Sequence, residues 1–145
     1  MSKDADIMDA LKTRLQTILV TGGYQTNIGQ KVHIWRTTPL GPEDVPAIMA
    51  DDTDIEHNNG AVMGMTRNTM SVDMVVVLTG SASLSDARKA RADLKKCLHG
   101  YETMGGLVSR MSVEKTAIEM KQFENLIAGA KARLTIEYDT PRGEI

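Results

Sequence analysis

Aromatic side chains are scarce, with one Phe, three Tyr and one Trp making up 3% of 145 residues. Stacking successive bases needs several aromatic faces, so a single-strand-binding surface has little material here. A lone cysteine, Cys97, excludes an internal disulfide and any zinc site built from paired cysteines. Basic excess is missing as well: 17 Lys and Arg face 19 Asp and Glu, a net charge of −2, whereas a nucleic-acid-binding domain usually shows a surplus of Lys and Arg. No run approaches the ~18 apolar residues of a membrane span, and the opening Met-Ser-Lys-Asp-Ala-Asp has no apolar signal core. The expectation is a protein that meets no membrane and stays in the cytoplasm where it is made.

What remains is an ordinary globular composition, 41% hydrophobic and 25% charged. A chain of this length suits one domain (1–145), able to bury roughly 70% of the surface its unfolded form exposes. Ten methionines stand out. Methionine fills irregular core gaps and also serves adaptable contact surfaces; Met74 and Met120 read as core, while Met63, Met65 and Met70 border a polar loop.

The clearest organisation lies at the centre. In residues 70–79, Val72, Met74, Val76 and Leu78 share one face of a strand, and Ser71, Asp73, Val75, Val77 and Thr79 share the other. The second face is polar at one end and apolar at the other, which predicts an interior strand covered on both faces along its second half. Gly80-Ser-Ala breaks it, and Ser83 with Asp86 fits a capping box. Ala87, Ala90, Leu94, Cys97 and Leu98 then line one helical face before Gly100, which makes Cys97 a buried structural thiol.

Upstream, Ile7, Leu11, Leu15, Ile18 and Leu19 predict a helix over 4–20, ended by Thr21-Gly-Gly23, with Asp4, Asp6 and Asp9 at its positive end. Alternation predicts a strand over 31–37 and another from 46 into the acidic run Asp51, Asp52, Asp54, Glu56. His57-Asn58-Asn59-Gly60 is the strongest turn signal and predicts a long hairpin arm whose polar tip extends beyond the sheet. Residues 113–127 match helical spacing through Val113, Ala117, Met120, Phe123 and Ile127, yet Thr116, Ile118 and Met120 also match strand alternation. The final alternation, Ala130, Ala132, Leu134, Ile136 and Tyr138, is a strand with one buried face, for which 107–120 would be the natural hairpin partner. Residues 141–145 read as a short flexible tail. The expected fold is α+β: a mostly antiparallel sheet of about five strands, two main helices on one face, and a long hairpin arm between the second and third strands.

Chemistry-bearing clusters are few. Alternation would put Asp52, Asp54 and Glu56 on one side of a strand, as a carboxylate site for magnesium or calcium requires, and a metal-dependent hydrolase could use it. Same-face neighbours lie ~7 Å apart, however, so one row seldom encloses an ion, and a solvated acidic arm is the simpler reading. His33, His57 and His99 lack paired zinc-ligand spacing, and no glycine pair precedes a phosphate-binding lysine. No catalytic residue, cofactor or metal is expected. The central helix carries Arg88, Lys89, Arg91, Lys95 and Lys96, complementary in charge to the acidic arm, as a head-to-tail contact between identical subunits demands.

The chain resembles the tail terminator (tail completion) proteins of long-tailed bacteriophages, the group of the lambdoid minor tail protein U. The resemblance rests on Ala10-Leu-Lys-Thr-Arg-Leu15, Gly23-Tyr-Gln-Thr-Asn-Ile-Gly29 with the strand at Val32, the acidic hairpin, Ala92-Asp-Leu-Lys-Lys-Cys-Leu98 with Met104-Gly-Gly-Leu107, and Leu134-Thr-Ile-Glu-Tyr-Asp-Thr140. It spans nearly the whole chain and rests on order and length rather than on one invariant motif. It implies a non-enzymatic virion protein of the tail and neck, assembled in the host cytoplasm, whose subunits form a ring, a homohexamer in this family. Such a ring caps the tail tube, stops its polymerisation and meets a head-completion or neck protein, with DNA passing through the lumen and no sequence-specific nucleic-acid contact. It also implies a strand hairpin at about 107–139. A head–tail connector is the related alternative. On this reading Asp51, Asp52, Asp54, Glu56, His57, Asn58 and Asn59 contact partners, and Arg88, Arg91 and Lys95 face a neighbouring subunit or the neck.

Overall fold

In the computed structural model, which describes residues 3–38, 40–62, 64–123 and 125–141, the elements run α1 (Lys3–Leu15), β1 (Val32–Ile34), β2 (Ala47–Val62), β3 (Met65–Thr79), α2 (Leu84–Leu98), β4 (Arg110–Phe123) and β5 (Leu126–Pro141). The strands form one sheet in the order β1-β2-β3-β5-β4. Only β1 and β2 are parallel; the other pairings are antiparallel. α2 packs on β4 and β5 while α1 packs on β1 and on α2, so the helices share one face of the sheet and the fold is α+β.

Alternation drives this arrangement. Met70, Val72, Met74 and Val76 of β3 and Ala130, Ala132, Leu134, Ile136 and Tyr138 of β5 all point beneath the helices and are buried. Ile7, Leu11 and Leu15 from α1 and Ala87, Ala90, Leu94, Cys97 and Leu98 from α2 close the same cluster. Small residues set the spacing at the α2 end: a Cβ on Gly129 would lie 2.8 Å from Leu78 Cδ1 and 3.4 Å from Ala87 Cβ.

The helix-or-strand ambiguity resolves to strand, and the sheet register explains why the spacing misled. β4 carries two irregularities, one between Val113 and Lys115 and one between Ile118 and Lys121. The first moves the following residues to the other face, so that Val113 and Thr116, three apart, share the helix face and mimic helical spacing, whereas beyond the second Lys121 still stands opposite Ala128 on the open face.

Several expected boundaries shift. α1 ends at Leu15 rather than near 20, where Thr17 donates its hydroxyl to Arg14 O at 2.6 Å and the following Ile18 and Val20 are β-branched. Ile18 still reaches the core, because the chain turns back and Gly29 N–H bonds to Ile18 O at 2.9 Å. A Cβ at Gly29 would collide with backbone atoms of Leu15 and Ile18, so glycine is required there. The first strand covers 32–34 rather than 31–37, because Trp35 turns away at φ 51°. On the open face of β3 only Val77 is buried while Val75 stays half-exposed, so cover on both faces is narrower than expected. Of the methionines, Met70 and Met74 are core and Met120 is half-buried against it; Met63 lies outside the described residues.

The arm also differs. His57 and Asn58 pair with Asn68 and Arg67, so the turn signal at 57–60 produces an irregular register before Val62 pairs with Met65. Gly64, at φ 78°, supplies the turn further on. Nor does the arm extend beyond the sheet, since β5 accompanies β3 out to the Met65–Pro141 pair. Its end is polar but partly buried: Thr66, Asn68 and Thr140 are covered beside Tyr138. Pro141 is the last residue of β5 rather than part of a tail, and residues 142–145 of the expected tail lie outside the described residues.

α2 is tied to the connection after α1 by Asp93, which is 1% exposed. Its carboxylate accepts from Gln25 N–H at 3.2 Å, from Thr26 N–H at 2.8 Å and from the Thr26 hydroxyl. Arg14 of α1 donates to Cys97 O at 3.0 Å and lies over the Tyr101 ring, satisfying a carbonyl in the last turn of α2. Hydrogen bonds to charged groups are worth about 1.5–3 kcal/mol. Asp93→Ala is therefore expected to lower unfolding free energy by about 2–3 kcal/mol in urea titration while preserving the native circular dichroism.

Candidate functional site

The residues with interaction chemistry collect on the two edges of the sheet. β1 accompanies β2 only as far as the Ile34–Ala50 pair, and among the described residues no strand covers the outer edge of β2 beyond it. The acidic row begins there. Charged side chains suit such an edge because they oppose indiscriminate strand pairing.

The row is not one-sided. Asp51 stands opposite Asp73 and Asp52 opposite Val72, but the register shifts at Thr53, so that Asp54 stands opposite Ser71 and Glu56 opposite Thr69. Asp51, Asp54, Glu56 and Asn58 therefore belong to the open face, and Asp52, Ile55 and His57 to the helix face. This corrects the expectation that Asp52, Asp54 and Glu56 share one side. Among the described residues, no three His, Cys, Asp or Glu side chains converge to hold a metal ion.

Two of these carboxylates act on Trp35. Asp51 accepts from the Trp35 backbone N–H at 3.1 Å, and Asp52 accepts from the indole Nε1–H at 2.6 Å. Trp35 is 55% exposed at φ 51°, a left-handed conformation that costs a bulky residue about 1–3 kcal/mol. The strand edge thus holds the only tryptophan in an exposed and strained position. Sequence reading placed Trp35 in a strand and overlooked it; the available signal was a large aromatic sharing the polar face of His33 and Thr37.

Further along the arm, His57 Nδ1 lies in hydrogen-bond contact with Asn68 Oδ1, and the Asn68 amide donates to Thr66 O, Tyr138 O and Thr140 Oγ1. His57 is thus anchored to a buried polar network while its side chain remains exposed. Arg67 and Asp139 pair across the rung at 3.0 Å. Asn58 is exposed, and the side chain of Asn59 lies outside the described residues.

The opposite edge is β4 with α2 above it. Arg88, Arg91 and Lys95 are spaced three and four apart and form one stripe. Lys95 lines the same groove as Arg110, Met111 and Val113 of β4, which places that stripe on the β4 side. Lys96 faces the other way, donating to Gly23 O at 2.8 Å and covering the Tyr24 ring. In β4 itself Glu114 is drawn to Arg133 at 3.5 Å and Glu119 to Lys131 at 3.2 Å. Among the described residues, Arg110, Lys115 and Lys121 form no such pair, so this edge is basic, a feature that sequence reading assigned to α2 alone. Between the edges, the open face holds a shallow groove of about 440 Å³ bordered by Asp73, Val75, Lys115, Ala117, Lys131 and Arg133.

Local charge environments are mild. The Arg67 guanidinium bonded to Asp139 holds that carboxyl below its usual range, and hydrogen bonds from Ser83, its backbone N–H foremost, do the same for Asp86. Burial pushes the Cys97 thiol and the Tyr138 hydroxyl up. The Cys97 thiol donates to Arg14 O at 3.3 Å and has none of the electropositive exposure of a reactive cysteine. No helix among the described residues is long and apolar enough to cross a membrane.

Neither known protein-family models nor curated protein sequences give a match to this chain.

Asp52→Ala is expected to free the indole, lowering the steady-state fluorescence anisotropy of Trp35 while changing stability by less than about 1 kcal/mol, because the lost hydrogen bond is solvent-exposed. The pH response follows from three depressed carboxyls, Asp86 and Asp139 together with Asp44, whose carboxylate accepts from the Gly41 N–H. Their stabilisation is present above the ordinary value of 3.8 and is lost as pH falls through the lower folded values. Thermal midpoints should therefore fall on acidification below that range, less steeply in Asp86→Asn and Asp139→Asn than in the parent protein.

Proposed function

We propose that the chain is a structural virion subunit, a tail terminator that assembles into a ring, caps the tail tube, stops its polymerisation and joins the tail to the head or neck. The observation that carries this reading is the separation of charge across the sheet. Asp51, Asp52, Asp54 and Glu56 lie on the β2 edge, while Arg110, Lys115 and Lys121 lie on the β4 edge beside the Arg88–Arg91–Lys95 stripe. Opposite charges on opposite edges favour a heterologous contact, in which each copy presents one surface and receives another. Contacts of this kind generate closed rings when the rotation between copies closes.

The sequence resemblance supplies the rest of the reading: hexameric closure, tail-tube protein on one face and a neck protein on the other. The action is steric and interfacial, with no catalytic group, metal or cofactor. Asp51, Asp54, Glu56 and Asn58 contact the neighbour or the tube from the open face, and Asp52 and His57 do so from the helix face. Arg88, Arg91 and Lys95 receive an acidic edge or meet the neck.

Light scattering across protein and salt concentrations tests this directly. The expected result is a discrete ring-sized mass, or a 15.8 kDa monomer that becomes a ring when tail-tube protein is added. A monomer that ignores tube protein and instead binds divalent metal or DNA overturns the reading, and a ring that binds neck protein but never the tube points to a connector. Reversing charge with Asp52→Lys and Asp54→Lys should weaken assembly and steepen its failure at low protein concentration. Unfolding midpoints should change little because both side chains belong to a solvated edge.

A further inference from the structure

The two edges differ in shape as well as charge. One offers a projection: Trp35, 55% exposed at the end of β1, oriented by Asp51 and Asp52. The other offers a recess of about 250 Å³ between the end of α2 and the start of β4. Val113 gives it a half-exposed apolar side chain backed by the buried Leu98 and Met111, Lys95 and Arg110 give it two cations, and Glu102 contributes its acidic residue.

Projection and recess also lie at the same height along the strands. Asp52, which bonds the indole, stands opposite Val72; Val72 stands opposite Leu134; Leu134 stands opposite Val113 in the recess. A second copy set beside the first on this rung brings the two together without sliding along the strand direction. The backbone turn and the indole bond already fix Trp35 outward, so docking immobilises little that was free. Buried tryptophans are among the strongest interface anchors, each covering about 150–250 Å².

We infer that Trp35 of one copy inserts into the α2–β4 recess of the next, with Asp51 and Asp52 facing Lys95 and Arg110. The inference rests on the head-to-tail reading and supplies its anchor. A second copy is the occupant the surface favours, because acid meets base, the rung is shared, and closing a ring fills every recess with the indole that each copy exposes.

Trp35 is the only tryptophan in the chain, so its emission reports this contact without labelling. Emission and light-scattering mass would be recorded together as protein concentration rises. The emission maximum should move to shorter wavelength in step with mass, and Trp35→Ala should raise the self-association constant for dissociation by at least about 30-fold, the scale of an anchoring residue. A second variant, Lys95→Glu with Arg110→Glu, changes only the far edge. It should leave circular dichroism unchanged yet keep Trp35 emission at long wavelength where the parent has shifted, an effect that requires a second copy. An oligomer whose Trp35 emission never moves, or moves equally in the double variant, overturns the inference and leaves the ring reading standing. Emission that shifts only on adding tail-tube protein assigns Trp35 to that partner and also overturns it. A mass that stays monomeric at every concentration, with and without tube protein, overturns both.

Discussion

Everything in this molecule depends on helices covering only one face of the sheet. With α1 and α2 on that face, each strand must alternate between an apolar side that is buried and a polar side that meets solvent. The rule is strict in β5, where Ala132, Leu134, Ile136 and Tyr138 are buried and the intervening Arg133, Thr135, Glu137 and Asp139 are not. It also makes bulges consequential. One extra residue at Thr53 leaves Asp52 on the helix face and sends Asp54 and Glu56 to the open one, and a similar irregularity at Glu114 brings Lys115 to the open face opposite Arg133.

The open face is held in register by charge rather than by apolar cover. Arg133 lies within 3.7 Å of Asp73 and 3.5 Å of Glu114, and Thr135 donates to Glu114 at 2.9 Å. Such exposed pairs contribute little stability individually, but they oppose register slips, which would bring like charges together. They also remove the β4 carboxylates from play. The edge cations left behind give that side of the sheet its sign, and the unbalanced carboxylates of β2 give the other side the opposite one.

Between these edges the core is closed by a few polar devices at points where apolar packing cannot act. Asp93 gathers the loop at Gln25 and Thr26, Arg14 satisfies a carbonyl at the end of α2, and Gly29 permits the backbone to approach the end of α1. Asn68 performs the same task in the arm, where its amide ties β3 to Tyr138 O and Thr140 Oγ1 of β5. A rigid frame of this kind lets the edges carry exposed and strained groups, Trp35 foremost, without loosening the fold.

Local physics made much of this legible in the sequence. The capping box at Ser83 and Asp86, the apolar stripe of α2 and the period-two alternation of β3 and β5 depend on neighbours a few residues away, so the elements, their order and their buried faces follow from the chain alone. The acidic row and the basic stripe were legible as composition. What the tertiary structure decided was position: which strand pairs with which, where Thr53 turns the row over, and that β4 rather than a helix fills residues 110–123. It alone set Trp35 against Asp51 and Asp52, residues sixteen or more positions away, and placed Lys95 with Arg110 across a recess. Register and bulges are fixed by long-range pairing, and a one-residue shift in that pairing changes the face on which every following side chain lies.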